Sequence, residues 1–395
     1  MSNLDDFYKY QAQTSPHPLA LEISKAEGSY IYDIDNNAYL DFVAGVSANT
    51  LGHSNPKVIE AIKQQVDQYM HVMVYGEYIQ QPAVALTKLL ASELPAPLEA
   101  TYLVNSGTEA IEGAIKLAKR ATGRATVISA KNAYHGNTMG AMSVMGIESR
   151  KRAFRPLIPG VKFIEFNKPD ELNQITHKTA AVILETIQGG AGFIEPQNDY
   201  LKKVRQRCDE TGSLLILDEI QPGFGRTGKL FGFMNYGIVP DIIVMGKGMG
   251  GGMPVGAFTA SHKLMNLLKD HPKQGHITTF GGHPVIAAAC LATLKEVINS
   301  DLQEKTLEKE QLFRKLLIHP LINEIRGKGL MLALIMKNEE ITNHLVMESM
   351  KHGLVLFWLL VETRAVRITP PLTISNDEIK QGCDIILKVL NQYNV

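Results

Sequence analysis

Two side chains of opposite charge stand where two apolar runs stop. Asp218 closes Leu214–Leu217, and Lys247 follows Ile242–Met245 after a single glycine. A third run, Val255–Phe258, comes next. Each is too short for a helix and is bounded by Gly, Pro or Asp, the pattern of a strand buried on both faces. Ligands of open α/β sheets bind outside the carboxyl ends of the strands. An acid and an amine delivered there from neighbouring strands can hold one small molecule from two sides. A partly desolvated lysine beside another cation sheds its proton and becomes a nucleophile toward carbonyl compounds, pyridoxal phosphate among them. Taken singly, an Asp after a strand is as often a turn or cap residue, and a lysine in a glycine-rich loop is usually a solvated charge. Gly246, Gly248, Gly250, Gly251 and Gly252 let the backbone pass close to a ligand and favour the joint reading. The same letters match G-x-G-x-x-G, but that motif opens a helix, whereas here Gly252-Met253-Pro254 lead into another apolar run. Nor is this a P-loop, because Gly248 follows Lys247 where Ser or Thr is required.

Further candidates sit at other strand ends. Thr101–Val104 reads as a strand followed by NSGTEAIEGAIKLAKRATG. Ser106 with Glu109 reads as a capping box, and Ala110, Ile111, Ala114, Ile115, Leu117 and Ala118 as a buried stripe. A helix N-terminus after a strand offers free N–H groups and a favourable dipole to an anion, so Ser106, Gly107 and Thr108 could hold a phosphate or simply cap the helix. After the strand Ala125–Ser129, Tyr134 beside His135 could stack on a flat ring or pack in the core. Ala180–Leu184 delivers Glu185 and Gln188 to another carboxyl end. Arg367, on a strand before Pro370-Pro371, could pair with a carboxylate through two parallel hydrogen bonds, although a surface arginine is the commoner case.

The elements that must position these residues alternate. Strands and helices follow one another from Thr101 to Phe258, the signature of a parallel sheet covered on both faces. Upstream, Glu27–Asp41 reads as a hairpin about Asp35-Asn36-Asn37, and Pro56 opens a helix whose apolar positions are Val58, Ile59, Ile62 and Val66. Helices are also expected over Gln80–Leu94, Asp199–Thr211 and Pro284–Asn299. Beyond them the composition changes to a charged helix (Asp301–Leu317), a strand (Arg326–Ile335), a helix (Ile341–Lys351), a strand (Leu354–Val361) and a last helix from Asp377, the makings of a smaller α+β lobe.

Composition bounds the function. With 395 residues the chain is long enough for two lobes, and 45% apolar with 20% charged residues describes an ordinary globular protein. Forty acidic against forty basic residues argue against nucleic acid or a polyanionic surface as partner. Cys208, Cys290 and Cys383 are odd in number and far apart, which suggests reduced thiols in a cytoplasm and offers no metal spacing. The first residues lack the basic start and apolar core of a signal peptide, and no run approaches the length of a membrane span.

Read together, these blocks resemble the class III (subgroup II) pyridoxal-phosphate-dependent aminotransferases. The likeness covers nearly the whole chain, from YLDFVAGV through LGHSNP, NSGTEA, AYHGNT, LDEIQPGFGRTG, GKGMGGGMPVGA and TTFGGHP to VRITPPL. It is nearest to the acetylornithine, ornithine and 4-aminobutyrate enzymes. The resemblance implies an α/β fold of the pyridoxal-phosphate transferase fold type I. Its large domain, 49–289, has a mostly parallel seven-stranded sheet covered by helices; its smaller α+β domain is 290–395, joined by the segment 1–48. It implies that Lys247 forms the Schiff base and shuttles the proton and that Asp218 pairs with the ring nitrogen. Gln221 reaches the ring hydroxyl, Tyr134 stacks on the ring, and Ser106, Gly107 and Thr108 cradle the phosphate. His135 and Glu185 belong to the same cofactor-contacting set. Thr279 reaches the cofactor of a partner in a homodimer, while Arg367 binds the substrate carboxylate with Tyr75 nearby. No metal is implied.

The implied function is ping-pong transamination from an amino acid (acetylornithine, ornithine or another ω- or β-amino donor) to a 2-oxo acid such as 2-oxoglutarate, in the cytoplasm. A mutase or decarboxylase on the same scaffold is the alternative, and a non-catalytic binding protein is disfavoured by the intact cofactor set. The chain departs from the family at Gly190, where a Glu that can mask the arginine is usual, at Thr186, where Pro is usual, and at Pro222, where Thr or Ser is usual. An unusual donor, apolar or longer in its side chain, is expected from these changes.

Overall fold

The computed structural model describes residues 3–393. Its strands are β1 (Ile23–Glu27), β2 (Tyr30–Asp33), β3 (Ala38–Asp41), β4 (Ala100–Val104), β5 (Thr126–Ala130), β6 (Val161–Ile164), β7 (Thr179–Glu185), β8 (Leu214–Asp218), β9 (Ile242–Gly246), β10 (Gly256–Ala260), β11 (Ile322–Lys328), β12 (Met331–Met336), β13 (Leu354–Val355), β14 (Phe357–Trp358) and β15 (Ala365–Ile368). Seven of them form the central sheet in the order β4-β10-β9-β8-β7-β5-β6. β10 alone runs against its neighbours, pairing antiparallel with both β4 and β9, while the remaining pairs are parallel. Every residue of β7, β9 and β10 is buried, which explains why these segments read as unbroken apolar runs rather than alternating ones. Helices over Gly107–Thr122 and Tyr200–Thr211 cover the sheet, and the helix Pro284–Ile298 packs on Pro56–Gln68 and Gln81–Glu93.

Local chemistry accounts for the element ends. In the β2–β3 hairpin the Asp33 carboxylate accepts the N–H groups of Asp35 (3.0 Å) and Asn37 (2.8 Å), and Asn36 takes the left-handed conformation with φ 62°. Asn55 caps the helix opened by Pro56, accepting from Lys57 at 3.0 Å. Of that helix's expected apolar face Val58 is buried, but Val66 is 41% exposed.

Distant parts of the sequence share a sheet. β13 pairs in parallel with β3, so a four-stranded sheet of order β1-β2-β3-β13 joins the first and last parts of the sequence. A second small sheet has the order β11-β12-β15-β14. Two expectations for this region are corrected. Arg326–Ile335 is not one strand but the antiparallel pair β11–β12, turned at Gly329, whose φ is 62°. Leu354–Val361 splits as well: β13 joins one sheet and β14 the other. The helix Asn3–Tyr10 and strand β6 have no counterpart in the sequence reading; the helix is short and buries no side chain, and β6 is a four-residue edge strand.

Candidate active site

The carboxyl ends of β4, β5, β7, β8 and β9 open on one cavity of about 680 Å³. Asp218 ends β8 and Lys247 follows β9, and these strands are adjacent and parallel, as the sequence pattern requires. Lys247 has φ 42°, a left-handed backbone that costs a non-glycine residue roughly 1–3 kcal/mol and persists only where surroundings impose it. They do: a Cβ on the next residue, Gly248, would lie 2.4 Å from Thr50 Oγ1, so the loop is pressed against the distant segment that carries Thr50. Burial pulls the Lys247 ammonium below the usual lysine range; Asp218 and Glu185 oppose this and Arg367 reinforces it.

Asp218 is itself fixed. Its Oδ2 lies 2.8 Å from Nδ1 of fully buried His135, and its Oδ1 accepts the Ile220 N–H at 3.0 Å. His135 comes from the loop after β5, next to Tyr134, and both line the cavity. Glu185, beside Asp218 in the β7–β8 register, accepts the N–H groups of Tyr134 (3.2 Å) and Gly189 (2.9 Å). Desolvation pushes its carboxyl up to about 7, aided by Asp218 and opposed by His135. Glu219 is wholly buried behind the site, bonded by the Thr186 hydroxyl and by the N–H groups of Gly232 (2.7 Å) and Phe233 (2.8 Å). Thr186, the departure from the usual Pro, thus supplies one of the three donors to that carboxylate.

The anion-binding turn takes its place at the end of β4. Ser106 Oγ accepts the Glu109 N–H at 3.3 Å, as a cap should. The Glu109 carboxylate does not complete a capping box on Ser106; it bonds the N–H and side chain of Asn105, at 2.8 and 2.9 Å. Gly107 and Thr108, in the first turn of this 16-residue helix, line the cavity, where a helix N-terminus has N–H groups to offer an anion. Gly256, at the start of reversed β10, makes this turn possible: a Cβ there would lie 2.0 Å from the Ser106 carbonyl oxygen. No expectation singled out Gly256, although the glycine-rich run that ends in it is visible in the sequence.

Arg367 enters from β15 of the small sheet and is 5% exposed. Its Nε and Nη1 are buried without a hydrogen-bond partner among the described residues, and burial lowers its guanidinium to about 10. A buried guanidinium with donors left over has the chemistry to take a carboxylate. Gln221 also lines the cavity, with Nε2 3.3 Å from Ser47 Oγ.

Two candidates are not brought into this cavity by the single chain. Thr279 is exposed, and Tyr75 lines two separate depressions near Thr101 and Tyr102. Phe357 and Leu360, which do line the cavity, were not singled out.

The chain matches the family model "Aminotransferase class-III" over residues 10–390. An acetylornithine aminotransferase of Caldanaerobacter subterraneus is 38% identical over 93% of this chain and 94% of its own length. A [LysW]-aminoadipate semialdehyde/glutamate semialdehyde transaminase of Sulfolobus acidocaldarius is 38% identical over 80% and 81%. Among solved structures, the ornithine aminotransferase of Toxoplasma gondii superposes with a TM-score of 0.91 at 29% identity, covering 99% of this chain and 96% of that one.

Proposed function

The chain belongs to the class-III aminotransferases, and from that premise we propose how its own residues carry the reaction and on which substrates. It is a pyridoxal-phosphate-dependent transaminase, moving an amino group from an amino acid to a 2-oxo acid. The cavity suits the cofactor: it offers a helix N-terminus for a phosphate, an aromatic side chain and a buried carboxylate for a heteroaromatic ring, and a desolvated amine. When bound, pyridoxal phosphate supplies the electron sink that makes proton removal beside the nitrogen feasible.

We assign Ser106, Gly107 and Thr108 to the phosphate, Asp218 to the ring nitrogen, Gln221 to the ring hydroxyl and Tyr134 to the ring face. His135 orients Asp218 from behind, and Glu185 holds the Tyr134 and Gly189 backbone around the ring. Lys247 would hold the cofactor and move a proton at its Nζ, a task that a lowered ammonium pKa favours. Arg367 orients the substrate by its carboxylate. The observation that carries the proposal is the convergence of Lys247, Asp218 and unpaired Arg367 on one cavity.

The relatives' names point to acetylornithine or ornithine as donor; our reading extends this to another ω- or β-amino acid, with 2-oxoglutarate as acceptor. Loading the protein, adding single donors and following the cofactor absorbance tests this. Loss of the band with one donor and its return on adding 2-oxoglutarate is expected; product formation with no 2-oxo acid present would point to a mutase instead.

We further propose that the working unit is a homodimer in the cytoplasm. Ile79 is 93%, Met70 63%, Tyr78 59% and Phe280 52% exposed, an apolar surface that a monomer rarely leaves open. It flanks Thr279 and Tyr75, so a second copy docked there could carry both toward the neighbouring cavity. No helix among the described residues is long and apolar enough to cross a membrane.

A further inference from the structure

We infer that this site discriminates against donors carrying a second ammonium besides the amine that is transferred. The inference rests on the transaminase reading and on Arg367 as its carboxylate anchor. The charges that this chain places on the cavity are few and accounted for. Asp218 is engaged by His135 and the Ile220 N–H, and Glu185 by two backbone N–H groups, both acids at the strand ends beside Lys247. Lys247 and Arg367 are the cations. No carboxylate approaches Arg367 closely enough for an ion pair, and none other lines the cavity among the described residues.

The walls near Arg367 are apolar by construction. Phe357 is the direct cross-strand partner of Arg367 in the β14–β15 register, so the two side chains leave the same face of the sheet. Leu360 lies across from Gly190, where a Cβ would come 3.4 Å from Leu360 Cβ, and the Val361 N–H donates to the Gly190 carbonyl at 3.0 Å, fixing the two segments together. The indole N–H of Trp358 is spent on Asn343 Oδ1 at 2.8 Å. Pro222 and Val46 add further wall without a polar side-chain atom. An ammonium brought against these groups would lose its water and find no anion in return, a large penalty on binding and turnover alike.

Matched donors test this directly: lysine and ornithine, each against the acid of the same length that lacks the α-amine. Expected is a preference in kcat/KM for the monoamines on the order of a hundredfold. Leu360→Asp should narrow that preference by improving the diamino acids, whereas Leu360→Met should leave it in place. A readout apart from turnover is calorimetric binding of two unreactive acids, one aliphatic and one ending in trimethylammonium, of which only the aliphatic acid should bind measurably. Equal or better kcat/KM for the diamino acids, or equal binding of the two unreactive acids, overturns the inference while leaving transamination intact. No reaction with any of these donors or with acetylornithine overturns the transaminase reading and this inference with it.

Discussion

His135 Nδ1 lies 2.8 Å from Asp218 Oδ2, with both side chains buried, so the carboxylate beneath the site is held from behind rather than free to choose a partner. That relationship makes Asp218 a preorganised charge. Asp218→Asn should keep the fold and bind pyridoxal phosphate but lower kcat on the order of a hundredfold to a thousandfold, the usual loss when one such charge is removed. Steady-state kinetics beside a cofactor-binding titration would check this; a near-normal kcat would remove Asp218 from the mechanism.

Arg367→Ala should act on binding. Removing one partner of a buried charge pair costs about 2–5 kcal/mol, so the KM for the 2-oxo acid should rise strongly while the cofactor spectrum stays unchanged. Arg367→Lys should recover only part of the loss, because an ammonium cannot make two parallel bonds. An unaltered KM in the alanine variant would assign carboxylate recognition elsewhere.

Gly256→Ala tests the phosphate turn without touching any side chain proposed to contact the cofactor. A Cβ there would lie 2.0 Å from the Ser106 carbonyl oxygen, so the turn must shift. The dissociation constant for pyridoxal phosphate should rise by tenfold or more, about 1.4 kcal/mol. Unchanged cofactor affinity would mean that the Ser106–Thr108 turn does not hold the phosphate.

Glu219 gives a stability signature. Its folded carboxyl is raised from 4.5 to about 7, desolvation being the main cause, with Thr186, Gly232 and Phe233 opposing. The folded chain thus holds a proton that the unfolded chain has released. The stability this supplies is full below the unfolded value near 4.5 and is lost as pH rises through about 7. Urea unfolding across that window should show stability falling with pH, and Glu219→Gln should flatten the slope. A slope unchanged by the substitution would assign the titration to other groups.

Much of this site was legible because buried parallel strands announce their ends. The runs before Asp218 and Lys247 are apolar throughout since both faces of β8 and β9 are covered, so the charge that terminates each stands out. The turn at Ser106 was legible for a similar reason, a strand running into a capped amphipathic helix. Arg367 was found on its strand, but Phe357 beside it was not, since their adjacency depends on the β14–β15 register rather than on local pattern. The glycine turn at Gly329 follows Arg326-Gly327-Lys328 at the very start of Arg326–Ile335 and was absorbed into the apolar run after it, and Leu354–Val361 looked continuous although its halves pair with different sheets. Thr279 and Tyr75 raise another limit: one chain does not carry them to its own cavity, and no local spacing reveals what a second copy would add.

The most direct test of the central claim is covalent. The purified protein, loaded with pyridoxal phosphate and reduced with borohydride, should carry a single pyridoxyl group that peptide mass spectrometry places on Lys247. Lys247→Ala should remain unlabelled and inactive. Label scattered over surface lysines, or undiminished in the Lys247→Ala protein, would contradict the assignment of Lys247 and the mechanism built around it.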